Sequence, residues 1–230
     1  MSPGPAGSGA PRRPDPVAPA VRPAGGRVWY AAYGSNLLRA RLGCYLAGGR
    51  PPGAVRSYPG CRDPRPPAAD VPLLLAGAVS FAGRSEVWGG GLAVFDPDAP
   101  GETPGRGYLL TVQQVADLAA QEMHREPGSP PDLELAAVLA PGRYPRGPGR
   151  YETAVCCGIL DGLPVLTLTA SGPDTAGPLA APSARYLRIL LAGLAEAHGW
   201  PAARAAGHLA GLPGAAGRWT AAAILAACAS

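Results

Sequence analysis

RVWYAAYGSNLLRARLGCYL (residues 27–46) sets the architecture from its first turn outward. RVWYAAY (27–33) is a short apolar run with a β-branched residue and three aromatics, which predicts a strand. LLRARLGCYL (37–46) puts Leu38, Leu42 and Tyr45 on one side of a short helix. Between them lies Tyr33-Gly34-Ser35-Asn36. Asn36 is the only asparagine in the chain, and all 20 basic residues are arginine. With 33 glycines and 29 prolines, this is the composition of a GC-rich coding bias that removes Asn and Lys wherever they are dispensable. An asparagine retained at a strand-to-helix turn marks a position that needs one.

Such a turn has a specific physical capability. Gly34 is expected to take a positive φ, and Ser35 or Asn36 to cap the helix. The first amides of helix 37–46 would then point outward without partners, where they can hold an anion such as a carboxylate. An ordinary helix cap is the competing explanation. The spacing is neither a G-x-S-x-G elbow nor a P-loop.

Further along, 73–83, 90–96, 105–111, 133–140, 151–160 and 164–170 read as strands, the last two joined by the turn signal Asp161-Gly162. Residues 111–123 read as a helix opened by a Thr111/Gln114 capping box. Residues 183–199, 201–211 and 218–229 are Ala/Leu-rich and helical. Strands gathered around a lone helix predict an α+β fold, a small mixed β-barrel or sheet with flanking helices, followed by C-terminal helices. Residues 1–26 are Pro/Gly/Ala-rich and read as a disordered tail with no signal peptide, kept in solution by Arg12, Arg13, Arg22 and Arg27. The catalytic domain is expected over 27–200 and a helical extension over 201–230. The segment 47–72 is a long Pro/Gly-rich connection, of a length that is usually functional or disordered.

In the helix 111–123, Val115, Leu118 and Ala119 form the apolar stripe, and one turn further that stripe reaches Glu122. Gln114, Asp117, Gln121 and Arg125 occupy the other side. A carboxylate on a core-facing stripe is desolvated, its pKa rises, and it becomes suited to proton transfer near neutral pH. The competing reading ends the helix one turn earlier and leaves Glu122 exposed or paired with Arg125 or Arg106.

The net charge of +4 is a mild surplus with no basic run, so nucleic acid is not an expected partner. No apolar run approaches the ~20 residues of a membrane span. Five cysteines without a C-x-x-C pair read as free thiols of a cytoplasmic protein. Three histidines lack any zinc spacing, so no metal and no cofactor is expected.

These segments together, in order, resemble the gamma-glutamylcyclotransferase-like family. YAAYGSNL (30–37) looks like the family's substrate loop, implying substrate contacts from Tyr33, Gly34, Ser35, Asn36 and Leu37. SEVWGGGLAVF (85–95) looks like its Trp-x-Gly-Gly segment, placing Trp88, Gly90 and Gly91. GRGYLLTVQQVADLAAQE (105–122) looks like the strand and helix that end in its catalytic Gln-Glu, placing Glu122. PSARYLRILLAGLAEAHGWP (182–201) resembles its late Pro-Ser-x-x-Tyr helix, placing Tyr186. The resemblance runs from about Val28 to Pro201. It implies cyclisation of a small-molecule gamma-glutamyl substrate to 5-oxoproline and a free amine, with Glu122 as acid and base. Typical members carry a tyrosine shortly after that Glu. Here 123–134 has none, and His124, Arg125 or Glu126 are candidates to line the pocket instead. A non-catalytic binding protein of the same fold and an amide hydrolase using the same Glu are the alternatives.

Overall fold

The computed structural model describes residues 9–16, 26–51, 57–85, 87–130 and 133–229. At its centre, β1 (Arg27–Ala32) is buried in all but its first residue. It pairs antiparallel with β5 (Glu102–Thr111) and parallel with β8 (Leu163–Thr169). The side chains of β1 alternate between two cores, as the period of a strand requires. Trp29 and Ala31 join one apolar cluster, and Val28, Tyr30 and Ala32 the other. A strand covered on both faces has no polar side, which is why 27–33 reads as a continuous apolar run.

The sheet has six strands in the order β2-β5-β1-β8-β7-β6, with β2 at Asp70–Ala76, β6 at Arg143–Pro145 and β7 at Thr153–Leu160. Only β1 and β8 run parallel; the other ladders are antiparallel. A separate hairpin-like pair, β3 (Ala78–Ala82) and β4 (Leu92–Asp96), packs beside it. Thr169 Oγ1 donates to Phe95 O at 2.6 Å between the two sheets. The fold is thus mixed α+β with a sheet and flanking helices. Among the described residues the strands form an open sheet and a separate pair, and no ladder closes a barrel.

The run 73–83, expected as one strand, breaks at Gly77, where φ is +124°. A Cβ there would lie 2.6 Å from the Asp96 carbonyl oxygen, so only glycine permits the crossing that sends β2 and β3 into different sheets. Residues 133–140, expected as a strand, instead form the helical turn α3 (Leu135–Leu139). Its Leu-Ala-Ala-Val-Leu composition favours helix, and only Val138 is β-branched. Strand β6 had no counterpart in the sequence pattern.

The α2 helix (Val112–Glu122) begins with the capping box: Gln114 N donates to Thr111 Oγ1 at 3.1 Å, and Thr111 N to Gln114 Oε1 at 3.0 Å. With α1 (Arg39–Ala47) it covers one face of the sheet. After the short α4 (Pro173–Ala176), α5 (Ala184–His198), α6 (Ala202–Gly211) and α7 (Ala221–Ala229) cover the other. Ala205, Ala206, Leu209 and Ile224 are buried in the same cluster as Trp29 and Leu187. The helical extension expected after residue 200 therefore packs on the main core.

The expectation of a disordered tail is corrected over residues 9–16. Arg12 N donates to Pro72 O and Leu74 N to Arg12 O, both at 2.9 Å, along the open edge of β2. Asp15 and Ile159 exchange backbone bonds of 2.8 Å in each direction. Arg12 and Arg13, expected to be solvating, pair with Asp161 and Glu102. Covering an exposed strand edge removes unpaired backbone groups, which orders a Pro-rich segment that has no core of its own. Residues 1–8 and 17–25, including Arg22, lie outside the described residues.

Candidate active site

The polar side of α2, expected to face solvent, is buried. Gln114, Asp117 and Gln121 are each at most 2% exposed. Their spacing of three and four residues makes one stripe along the helix, and the Pro-rich connection lies across it. Gln114 Nε2 donates to Asp63 O and Arg65 O at 3.1 and 2.9 Å. Asp117 accepts from Arg62 N at 2.9 Å, Arg62 Nη2 at 2.8 Å and Gly128 N at 3.0 Å. Gln121 accepts from Gly60 N at 3.2 Å and donates to Tyr45 O at 3.0 Å. The stripe is a docking strip for the connection, which in turn delivers Tyr58. The Tyr58 ring packs 4.1 Å from Tyr45, and its hydroxyl accepts from Arg41 Nη2 at 2.7 Å.

The YGSN turn is a 3-10 turn, Ser35–Leu37, without a side-chain cap. The α1 helix, with Leu38 at its N-cap position, likewise has no side-chain cap. The expected capping role of Ser35 or Asn36 is therefore not met. The expected positive φ of Gly34 is not met either, since its φ is −108°. Gly34 is small for another reason: a Cβ would sit 3.2 Å from the Tyr186 hydroxyl. The turn is held from behind. Tyr108 OH donates to Asn36 O at 2.8 Å and Arg106 Nη1 to Leu37 O at 3.2 Å. Arg106 is itself buried and tied to Asp70 and Glu196. With both carbonyls gripped on the core side, the Asn36 side chain is free to turn the other way.

It turns to Glu122. Asn36 Nδ2 lies 3.3 Å from Glu122 Oε1 and 3.3 Å from Tyr30 OH. Helix α2 runs through Glu122, and neither Arg106 nor Arg125 pairs with it; Arg125 pairs with Glu152. Glu122, half-buried, opens into a cavity of about 480 Å³. Tyr33, Gly34, Ser35, Asn36, Trp88 and Tyr186 of the expected set line the same cavity, as does His124. Three expected residues are elsewhere. Leu37 is buried in the core. Gly90 and Gly91 pack against the backbone of 180–183, where a Cβ on Gly90 would lie 2.7 Å from Ala181 O. They let two chain segments touch, and they do not line the cavity. Of the other candidates after Glu122, Arg125 is taken by Glu152 and Glu126 is not among the lining residues.

Tyr30, Arg41, Tyr45, Tyr58 and Tyr151 also line the cavity and were not foreseen. One signal was present: Arg41 lies three residues after Leu38 and four before Tyr45, on the helix side that should be apolar. Tyrosines from elsewhere line the cavity with Glu122, among them Tyr45 of α1, which favours the charged form of the carboxyl. Burial pushes the Glu122 carboxyl above its ordinary value, while Arg41 and the bonds from Tyr45 and Asn36 pull it back part of the way. Burial holds the phenols of Tyr30 and Tyr186 well above their usual range, so they stay neutral donors and acceptors. The site thus combines one carboxyl tuned upward with neutral hydroxyls, an amide side chain and a tight turn. That equipment suits moving a proton on a small polar molecule. Among the described residues no group of three or more His, Cys, Asp or Glu is placed to hold a metal ion, and no helix is long and apolar enough to cross a membrane.

No family model matches the chain. Histone deacetylase 5 of Arabidopsis thaliana is 32% identical to it over 185 residues, which are 74% of this chain and 28% of that protein. The chain therefore spans little more than a quarter of that relative's length. Among solved structures, a gamma-glutamyl cyclotransferase is similar at a TM-score of 0.47 and 18% identity, over 81% of this chain and 88% of that one. An uncharacterized protein of Homo sapiens is similar at a TM-score of 0.47 and 20% identity, with the same coverage. Neither likeness by itself assigns an activity to this chain.

Proposed function

We propose that this protein is a gamma-glutamylcyclotransferase-like enzyme that cyclises a gamma-glutamyl group to 5-oxoproline, releasing a free amine. The observation that carries this reading is the junction of the YGSN turn with Glu122 inside one cavity, through the Asn36–Glu122 contact of 3.3 Å. The family resemblance of the sequence motifs supports it independently.

In this reading the α-carboxylate of the glutamyl unit rests against the turn at Gly34, Ser35 and Asn36. The Glu122 carboxylate takes a proton from the α-ammonium. The freed amine nitrogen attacks the γ-carbonyl carbon of the same molecule and forms the five-membered ring. Ring closure within one molecule needs orientation more than an activated nucleophile. As the γ-carbon to nitrogen bond breaks, protonated Glu122 returns its proton to the leaving amine, and the ring nitrogen gives its surplus proton to the released amine, which departs as an ammonium. Water is neither added nor lost, and no redox partner takes part. A carboxyl raised by burial is matched to both halves of this exchange. The free cysteines fit a cytoplasmic setting. Incubation with a panel of gamma-glutamyl compounds, scored by mass spectrometry for 5-oxoproline against glutamate, tests the assignment.

A further inference from the structure

Arg41 is a buried cation without a carboxylate salt bridge among the described residues. It is 3% exposed. Its Nη2 donates to Tyr58 OH at 2.7 Å and Tyr45 OH at 3.4 Å. Its Nε and Nη1 are buried without hydrogen-bond partners. Its guanidinium carbon lies 5.1, 4.8 and 5.4 Å from the ring centres of Tyr45, Tyr58 and Trp88. A charge taken out of water is costly unless something compensates it. Aromatic faces supply part of that compensation. A negative charge would supply the rest, and among the described residues that line the cavity with Arg41 the one carboxyl is Glu122.

We infer that Arg41, held in place by Tyr58 of the Pro-rich connection, is a positioning residue that keeps Glu122 in its carboxylate form in the cavity. This rests on the reading of Glu122 as the acid and base. It also gives the segment 57–67 a role: the docking strip on α2 fastens the segment, the segment presents Tyr58, and Tyr58 holds Arg41.

The other groups facing Glu122 do not replace this effect. From the turn, Asn36 donates a hydrogen bond to it, and Tyr45 of α1 lines the same cavity; both are neutral. Tyr30 of β1, Tyr186 of α5 and Tyr151 before β7 are kept neutral by burial. His124, Arg84 and Arg150 also line the cavity, but His124 and Arg84 are exposed and Arg150 is half-buried, whereas Arg41 is buried in the wall. The lack of exposed nitrogen on the Nε and Nη1 side disfavours a direct role for Arg41 in gripping substrate.

The test is a carbon-13 NMR titration of the Glu122 carboxyl, assigned with Glu122→Gln, together with the pH profile of kcat/KM for 5-oxoproline release. Arg41→Met should move both the titration and the acid limb to higher pH by about one unit, the low end of the effect of a nearby opposite charge. KM at high pH should stay within about twofold of wild type, and Arg41→Lys should restore most of the shift. Tyr58→Phe, which keeps the ring and removes only the hydroxyl, should shift both in the same direction by less, and it serves if Arg41→Met does not fold. An unmoved titration in a folded variant would overturn the inference. So would an increase in KM at an unchanged pH profile, which would make Arg41 a substrate contact. The titration is independent of turnover, so a wild-type protein that makes no 5-oxoproline would refute the proposed function and leave the Arg41–Glu122 coupling to be judged by NMR.

Discussion

Asn36 and Glu122 are 86 residues apart in sequence, and Asn36 Nδ2 meets Glu122 Oε1 at 3.3 Å. Two features that are ambiguous separately become one site through that contact. Asn36 could have been a helix cap, and Glu122 a frayed helix end. The turn carries no side-chain cap and α2 extends through Glu122, so both side chains are committed to the cavity.

Asn36→Ala removes a donor to a group that must carry charge. A hydrogen bond to a charged partner contributes about 1.5–3 kcal/mol, so kcat/KM should fall by about 10- to 100-fold. Asn36→Asp should be worse near neutral pH, since a second negative charge beside Glu122 disfavours its carboxylate form. Steady-state kinetics on the purified variants checks both. Wild-type kinetics in Asn36→Ala would return the residue to a structural role.

Gly34→Ala should impair the site through contact with Tyr186, because the new methyl would lie 3.2 Å from its hydroxyl while φ is an accessible −108°. Tyr186→Phe clears that space and gives up the bond in which Ala93 N donates to the Tyr186 hydroxyl at 3.3 Å. The double variant should lose less activity than the two single losses combined, a coupling that a double-mutant cycle measures. Strict additivity would mean that the two residues act independently.

Asp117→Ala cuts the central fastening of the Pro-rich connection. Asp117 is fully buried and accepts bonds from Arg62 and Gly128. Loss of charge-assisted bonds of this kind costs about 1.5–3 kcal/mol or more, visible as a lower midpoint in urea denaturation. Activity should fall as well, because the same segment carries Tyr58. A stable but inactive variant, or an unstable but fully active one, would separate the anchor from the site.

Glu122 also leaves a signature in stability. Its folded-state pKa is above the ordinary 4.5, so the native protein binds its proton more tightly than the unfolded chain does. The resulting stabilisation is complete below the unfolded pKa and is lost as pH rises through the folded one. The Tm of wild type minus that of Glu122→Gln should therefore decrease as pH is raised from about 4.5. A difference that stays flat or increases over that range would contradict a raised pKa.

Much of this was legible in the residues themselves. The central strand, the capping box on α2, the hairpin at Asp161-Gly162 and the seven cavity residues from Tyr33 to Tyr186 follow from local pattern and motif order. What was hidden depends on tertiary partners. Gln114, Asp117 and Gln121 look solvent-facing until a loop from elsewhere covers them, and polarity alone cannot distinguish solvent from a buried hydrogen-bonding surface. Arg12 and Asp15 look unstructured until β2 and β7 offer them backbone partners. Gly90 and Gly91 are placed at the substrate by the resemblance to a Trp-x-Gly-Gly segment; glycine there admits either a ligand or a crossing chain, and the chain at 180–183 takes the space. Tyr45 and Tyr58 sit beside each other only because the connection folds back on α1.

The central claim is that Glu122 transfers the proton in an intramolecular cyclisation. Its most direct measurement is mass spectrometry of products after incubating wild type and Glu122→Gln with the gamma-glutamyl panel. Wild type should yield 5-oxoproline and the free amine from at least one compound. Glu122→Gln, with unchanged circular dichroism, should lose this by about 100-fold or more, in line with the usual contribution of general acid–base catalysis. Glutamate as the product, or undiminished 5-oxoproline release from the variant, would contradict it.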